Sequence, residues 1–299
     1  MVLAMAGVLM LVLGIKEAGY EGVLSPVAVI SAPTAVVLLV GFVIWERRYP
    51  TPHLDVRIFA RWEFRNAVLS VLAVLISLTG IELFLAQYFQ LVLGNTPFAA
   101  GLRMLPLMIA TIIGSLLAGA PLFNRFGTHA VTAGGLAFAA AAQVPLLWLD
   151  VNDRPWLSIF AFLGLGLGSS AALTAASNSL MDSTQPAQAG VVASVEETAY
   201  ELGGGLGVTI IGTVMAAAYR PGFPATADAP ATSVDPARGS FSDALREAAE
   251  YQSAPLANAA KEAFVHSLRL ALVTDMAILT VTAMITFGRS NTRVSIQGE

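Results

Sequence analysis

Residues 189–214 read "AGVVASVEETAYELGGGLGVTIIGTV", and their interpretation decides the fold. From Leu202 to Ala218 the chain runs for seventeen residues without an ionisable side chain, and just before that run stand Glu196, Glu197 and Glu201. A helix crosses ~30 Å of hydrocarbon with about 20 residues at 1.5 Å each, so seventeen suffice when the flanking side chains reach back to water. The glutamates therefore have two readings. Either they mark the membrane edge, or the span is longer, over 192–218, and they line a polar path inside it. If the helix enters near Gly190, Glu196 and Glu197 lie roughly 10 Å along it and Glu201 about 17 Å. Glu197 and Glu201, four residues apart, share a face, whereas Glu196 points about 100° away from Glu197.

The rest of the chain agrees with a membrane reading. Of 299 residues, 56% are hydrophobic and 12% charged, with a net charge of −4. A soluble domain carries about 25% charged residues, so this chain cannot cover a water-facing surface. Cysteine is absent, which excludes disulfides, thiolate metal sites and cysteine nucleophiles. Scarce lysine (Lys16, Lys261) beside abundant arginine and alanine points to a GC-rich bacterial genome, hence to a bacterial plasma (inner) membrane. The other apolar runs fall at 26–45, 67–93, 98–123, 130–149, 156–180 and 266–288. An eighth, Met1 to Ile15, would reach only about 22 Å as a helix. It has no positively charged start, so a span whose beginning is missing fits better than a signal peptide. The class expected is an all-α integral membrane protein of about eight transmembrane helices.

Orientation follows from the basic residues. "ERRYPTPHLDVRIFARWEFR" (46–65) holds Arg47, Arg48, Arg57, Arg61 and Arg65, the densest cluster, and should be cytoplasmic. Alternation puts the tail 289–299 and the C-terminus on that side, and "LDVNDRPW" and 219–262 outside. Within the outer segment, "PGFPATADAPATSVDPAR" (221–238) reads as a linker. From Ser240 to His266 the pattern turns amphipathic with a break at Pro255, and Ser240 with Asp243 can open a short helix. A helical hairpin on the outer surface is expected, with an irregular loop as the alternative.

Glycine-rich "GLGLGS" (164–169) and "GGGLG" (203–207) lack the strand that a phosphate-cradling loop requires and lie inside apolar helices. They fit close helix packing, with Gly203 and Gly207 at small-xxx-small spacing. His53, His129 and His266 have no metal-ligand spacing, no nucleophile elbow is present, and no metal site or enzyme activity is expected. Intramembrane ionisable residues are the informative ones, because charges there are costly and usually line an ion or substrate path. Besides the three glutamates these are Glu82, Asp275 and Arg103. Arg103 either reaches outward or is the charge partner of a carboxylate. Gln87 and Gln90 continue a polar stripe from Glu82, and Tyr88 and Tyr200 offer ring faces to an organic cation. A desolvated carboxyl group binds a proton more tightly, so such groups can exchange protons against cations.

Two stretches, "LAQYFQLVLGNTPFAAGLRMLPL" (85–107) and "AGVVASVEETAYELGGGLGVTIIGTV" (189–214), resemble the major facilitator superfamily, specifically the fourteen-span drug:proton antiporters of the QacA, SmvA and EmrB kind. The resemblance runs along nearly the whole chain. It implies two central extra helices (1–45, the first truncated), a cytoplasmic basic connection (46–66) and the C-terminal six-helix half of the fold (67–288). It also implies that acids on the penultimate span, here Glu196, Glu197 and Glu201, recognise cations and couple protons, with Glu82 matching an acid of some members. The segment between the last two spans resembles the extracellular hairpin of those members. "GAPLFNRFG" (119–127) resembles the family's cytoplasmic loop motif at Gly119, Arg125 and Gly127, but Asn124 stands where aspartate is usual.

The function so implied is part of a proton-coupled exporter of lipophilic organic cations, such as quaternary ammonium compounds and dyes. No cofactor is expected beyond the proton as coupling ion. The partners implied are the lipid bilayer, small cationic substrates and a missing or separately encoded N-terminal six-helix half, with no nucleic acid. The alternatives are export of a lipid, siderophore or other non-cationic compound, or a non-functional membrane fragment.

Overall fold

The computed structural model describes residues 2–20, 25–48, 56–118, 120–184, 188–222 and 240–294, and every regular element among them is helical. The long helices are α1 (Val2–Tyr20), α2 (Pro26–Arg48), α3 (Trp62–Gln87), α4 (Pro97–Ala118), α6 (Thr128–Ala142), α7 (Pro155–Asp182), α8 (Ala189–Gly222) and α10 (Ala254–Val294). Two shorter ones, α5 (Ala120–Phe126) and α9 (Phe241–Glu250), lie between them. Among the described residues, seven helical segments are long and apolar enough to cross a membrane: those of α2, α3, α4, α6, α7, α8 and α10. Helix α1 is the eighth apolar helix. Its 19 residues rise about 28 Å rather than the 22 Å expected, because Lys16 and Glu17 continue its last turns instead of ending it.

The boundaries have local causes. Helix α3 begins at Trp62, five residues before the expected span, so the end of the basic connection forms its first turn, with Glu63 at the favourable N-terminal end. It closes in a π-helical turn, Tyr88–Val92, and stops at Gly94, whose φ of 71° lies in the left-handed region that glycine tolerates. Helix α7 starts on Pro155, a favoured first-turn residue. Ser240 caps α9, its hydroxyl accepting from the Asp243 backbone N–H at 3.1 Å. The amphipathic pattern breaks next to Pro255 as expected: α9 ends at Glu250, residues 251–253 turn, and Pro255 sits in the first turn of α10, which runs unbroken for 41 residues through the expected second arm and the last span. Helix α9 folds back against that extension, with Phe241 stacked 4.4 Å from Phe264. Most of the expected linker, 223–238, lies outside the described residues, as do His53, Gly119 and residues 295–299.

Helices α3, α4, α6, α7, α8 and α10 form the main body, while α1 packs against α2 and against α8. Small residues set the crossings. A Cβ on Gly207 would lie 2.5 Å from the Ile76 carbonyl oxygen, and one on Gly203 would lie 2.6 Å from Leu75 Cβ, so α8 meets α3 almost backbone to backbone. Helix α7 is held the same way between two neighbours. Gly166 abuts the Leu107 carbonyl of α4, and Gly168 abuts Gly135 and Ala139 of α6. Outward, α4 exposes Leu102, Leu105, Ile109, Ile112 and Leu116, a surface suited to lipid.

Candidate functional site

The contacts of α3 with α8 fix the heights of the acidic residues. Gly203 lies against Leu72 and Leu75, Gly207 against Ile76 and Thr79, and Gly80 against Ile211, so the two helices run parallel. Glu201 thus sits near the level of Leu72, and Glu82 lies about ten residues, ~15 Å, further along α3. Asp275 of α10 meets Ser77 of α3, roughly midway between. The acids occupy three levels rather than one cluster.

At the first level, Glu197 and Glu201 are both exposed on one face of α8. With Ala193, Ser194, Thr198 and Leu202 they line a shallow recess open to the outside of the bundle. Glu196 turns the other way. Half-buried, it accepts a hydrogen bond from the Ser177 hydroxyl of α7. The Tyr200 ring packs beside the buried residues of α3, α7 and α8, such as Val71, Leu180 and Ala199.

At the second level, Asp275 is fully buried. Its Oδ2 accepts from Ser77 Oγ at 2.6 Å and from Gln143 Nε2 at 2.7 Å. This cluster ties α3, the end of α6 and α10 together. About three turns nearer the basic end, Thr286 donates to the buried Asn66 side chain at 3.1 Å, a second polar tie between α10 and α3. Third comes Glu82, half-buried on α3. Gln87 lies beyond it in a cleft of ≈ 400 Å³ between α1, α3, α8, α9 and α10, which Lys16, Phe84, Thr213, Tyr219 and Phe241 also line. Gln90 is half-buried in the π-helical turn.

Tyr88 corrects an expectation. It is fully buried, its ring 5.5 Å from Phe89, and its hydroxyl donates to the Asp150 carbonyl at 2.7 Å. No ring face is left for a ligand, because the π-helical turn swings Tyr88 into the core. Arg103 takes a carboxylate, but not an intramembrane one. It makes a two-pronged ion pair with Asp153 in the connection before α7, one prong at 2.6 Å, while its guanidinium lies 5.7 Å over the Phe89 ring. The Arg103 hydrogen bonds hold the Asp153 carboxyl below the usual aspartate range. Beside them Arg154 pairs with Asp150 at 3.0 Å, and Arg269 donates to the Leu149 carbonyl at 2.7 Å.

At the basic end, Arg61 donates to the Ser183 carbonyl and Arg65 lies 5.2 Å over the Trp62 ring. Of the loop motif, Gly127 has φ 78° and precedes α6, and exposed Arg125 lies over Phe126. The Asn124 side chain is outside the described residues. Sequence reasoning passed over Ser77, Gln143, Ser177 and Asp153. Gln143, a lone amide closing an alanine-rich apolar run, carried the same signal as the intramembrane acids.

The model of the Major Facilitator Superfamily matches residues 1–208, more than half of the chain. The chain belongs to the Major Facilitator Superfamily. It is 30% identical over 288 residues to the multidrug efflux pump LfrA of Mycolicibacterium smegmatis, covering 95% of this chain and 57% of LfrA. To the methyl viologen resistance protein SmvA of Salmonella typhimurium it is 29% identical over 256 residues, covering 84% of this chain and 52% of SmvA. To the puromycin resistance protein pur8 of Streptomyces alboniger it is 31% identical over 204 residues, covering 67% of this chain and 40% of pur8. The chain therefore spans about half the length of the curated relatives it matches most extensively. By name these relatives are a multidrug efflux pump and two resistance proteins, in line with the resemblance of the two quoted stretches, and the chain has the multi-pass helical make-up of a member of the superfamily.

Proposed function

We propose that the chain forms part of a proton-coupled exporter of lipophilic organic cations in a bacterial plasma membrane, with the basic end and the C-terminus cytoplasmic. The observation that carries this reading is the pair Glu197 and Glu201 on one open face of α8. Two carboxylates one helical turn apart, flanked by Ser194 and Thr198, offer negative charge and hydrogen bonds beside apolar surface. That suits a cation with a greasy body. Transporters of this architecture bind substrate near the bilayer midplane between two halves, and an acidic face left open on one half is suited to that seam. A relative named for resistance to methyl viologen, a permanently charged organic dication, agrees with the charge of the recess. Glu82 contributes negative charge ~15 Å further along, while Glu196 and Tyr200 brace α8 against α7 rather than meet substrate.

The test is ethidium efflux from energised cells, with the chain supplied together with the segments that its longer relatives carry. Glu201→Gln is expected to slow efflux several-fold and to weaken its dependence on the proton gradient. Wild-type efflux and proton dependence in that variant would falsify the coupling role.

A further inference from the structure

The cluster around Asp275 contains an imbalance. Oδ2 has two donors, Ser77 and Gln143, whereas Oδ1 is buried with none. Gln143 has the matching fault: its Nε2 is used, and its Oε1 is buried without a donor. Both groups are fully buried. Two acceptor oxygens left bare in a site shut from water are costly, the more so on a charged group. They sit on two side chains already joined by one hydrogen bond, and each lacks a donor. A single proton supplies the missing bond.

We infer that Asp275 carries a proton on Oδ1 and donates it to Gln143 Oε1, closing a two-bond ring between a carboxylic acid and an amide. In that ring Gln143 Nε2 donates to Oδ2 and Asp275 Oδ1 donates back to Oε1, with Ser77 as an additional donor to Oδ2. Each buried oxygen is then satisfied and the cluster is neutral. Among the described residues no charged side chain bonds it. On α10 the nearest is Arg269, six residues earlier and engaged with the Leu149 carbonyl. On α3 Glu82 lies five residues beyond Ser77, and His129, the one titratable group of α6, stands at its opposite end. Helix α8 carries Glu196, Glu197, Glu201 and Arg220, none of which bonds Asp275. A cation would have to reach a carboxyl group and an amide that are both fully buried. The site takes a proton and excludes an organic cation, which separates it chemically from the α8 recess. Losing that proton would strand a charge at the junction of α3, α6 and α10, so ionisation requires those helices to part. The inference concerns protonation alone and stands whatever the chain exports.

The experiment is infrared difference spectroscopy of the purified chain in lipid nanodiscs at neutral pH. Wild type minus Asp275→Asn should show a protonated-carboxyl C=O band that shifts in heavy water. The asparagine can form the same ring as an amide pair, so the variant is expected to fold. Gln143→Leu and Ser77→Ala should each move the band to higher frequency, since its carbonyl loses a donor, and Glu82→Gln should leave it in place. If Asp275→Asn fails to fold, a wild-type band that holds its intensity from mildly acidic to mildly alkaline buffer and moves in Gln143→Leu supports the same assignment. Loss of a carboxylate band instead of a carboxyl band in Asp275→Asn would overturn the inference. So would a band that appears only when sodium is removed, which would make the cluster a metal-ion site.

Discussion

The acidic face of α8 and the acid inside the α3–α6–α10 junction use the same functional group in opposite settings. Glu197 and Glu201 are exposed, lack a tying partner and border a recess. Asp275 is sealed, held by two donors and left with one bare oxygen. An open carboxylate can exchange its water for a bulky cation, whereas a sealed one can exchange only a proton. The contrast teaches that membrane acids cannot be sorted by depth alone. What matters is which way the helix turns them, and here α8 points Glu197 and Glu201 outward while α10 points Asp275 into α3 and the end of α6.

The largest effect is expected from breaking the scaffold that keeps the two sites apart. Gly207→Leu drives a side chain into the Ile76 carbonyl and Thr79 hydroxyl, where even a Cβ would sit at 2.5 Å and 2.6 Å. Overpacking of this kind costs about 3 kcal/mol or more, so thermal unfolding in detergent should show a marked loss, and a wild-type melting temperature would refute the close crossing. Gln143→Leu acts on the sealed side alone. It removes one donor from Asp275 and should cost about 2 kcal/mol in the same assay while leaving cation affinity unchanged.

Tyr88→Phe sharpens the comparison differently. Loss of its hydrogen bond to the Asp150 carbonyl should cost about 1 kcal/mol of stability, with no change in ethidium binding. Weakened binding in that variant would restore the ligand role that burial argues against. The smallest effect belongs to the Arg103–Asp153 pair, which is partly exposed and so worth less than about 1 kcal/mol. Because the Asp153 carboxyl is held below its usual range in the fold, the pair's contribution is complete above about pH 4. It fades only as pH falls through the depressed value. Asp153→Asn should therefore change stability slightly at neutral pH and remove that acid-range dependence.

Much of this was legible in the sequence. Apolar run length gave the spans, and the spacing of Gly203 and Gly207 gave a close helix crossing, because both follow from helix geometry alone. The shared face of Glu197 and Glu201, and the divergence of Glu196, follow from the same arithmetic. What failed depended on tertiary facts. Helical periodicity could not foresee the π-helical turn that buries Tyr88. Ser77 and Asp275 are 198 residues apart in the chain, with Gln143 between them, so no local pattern could join them. Arg103 could not be matched to Asp153 without knowing that the α6–α7 connection folds over the start of α4.

The central claim is that the open acids meet cations and the sealed acid does not. Ethidium binding in nanodiscs to the chain purified together with the segments that its longer relatives carry, followed by fluorescence, tests it most directly. The double variant Glu197→Gln, Glu201→Gln should lose roughly tenfold in affinity or more, equivalent to about 1.4 kcal/mol, while Asp275→Asn keeps the wild-type value. Unchanged affinity in the double variant, or a comparable loss in Asp275→Asn, would contradict the account.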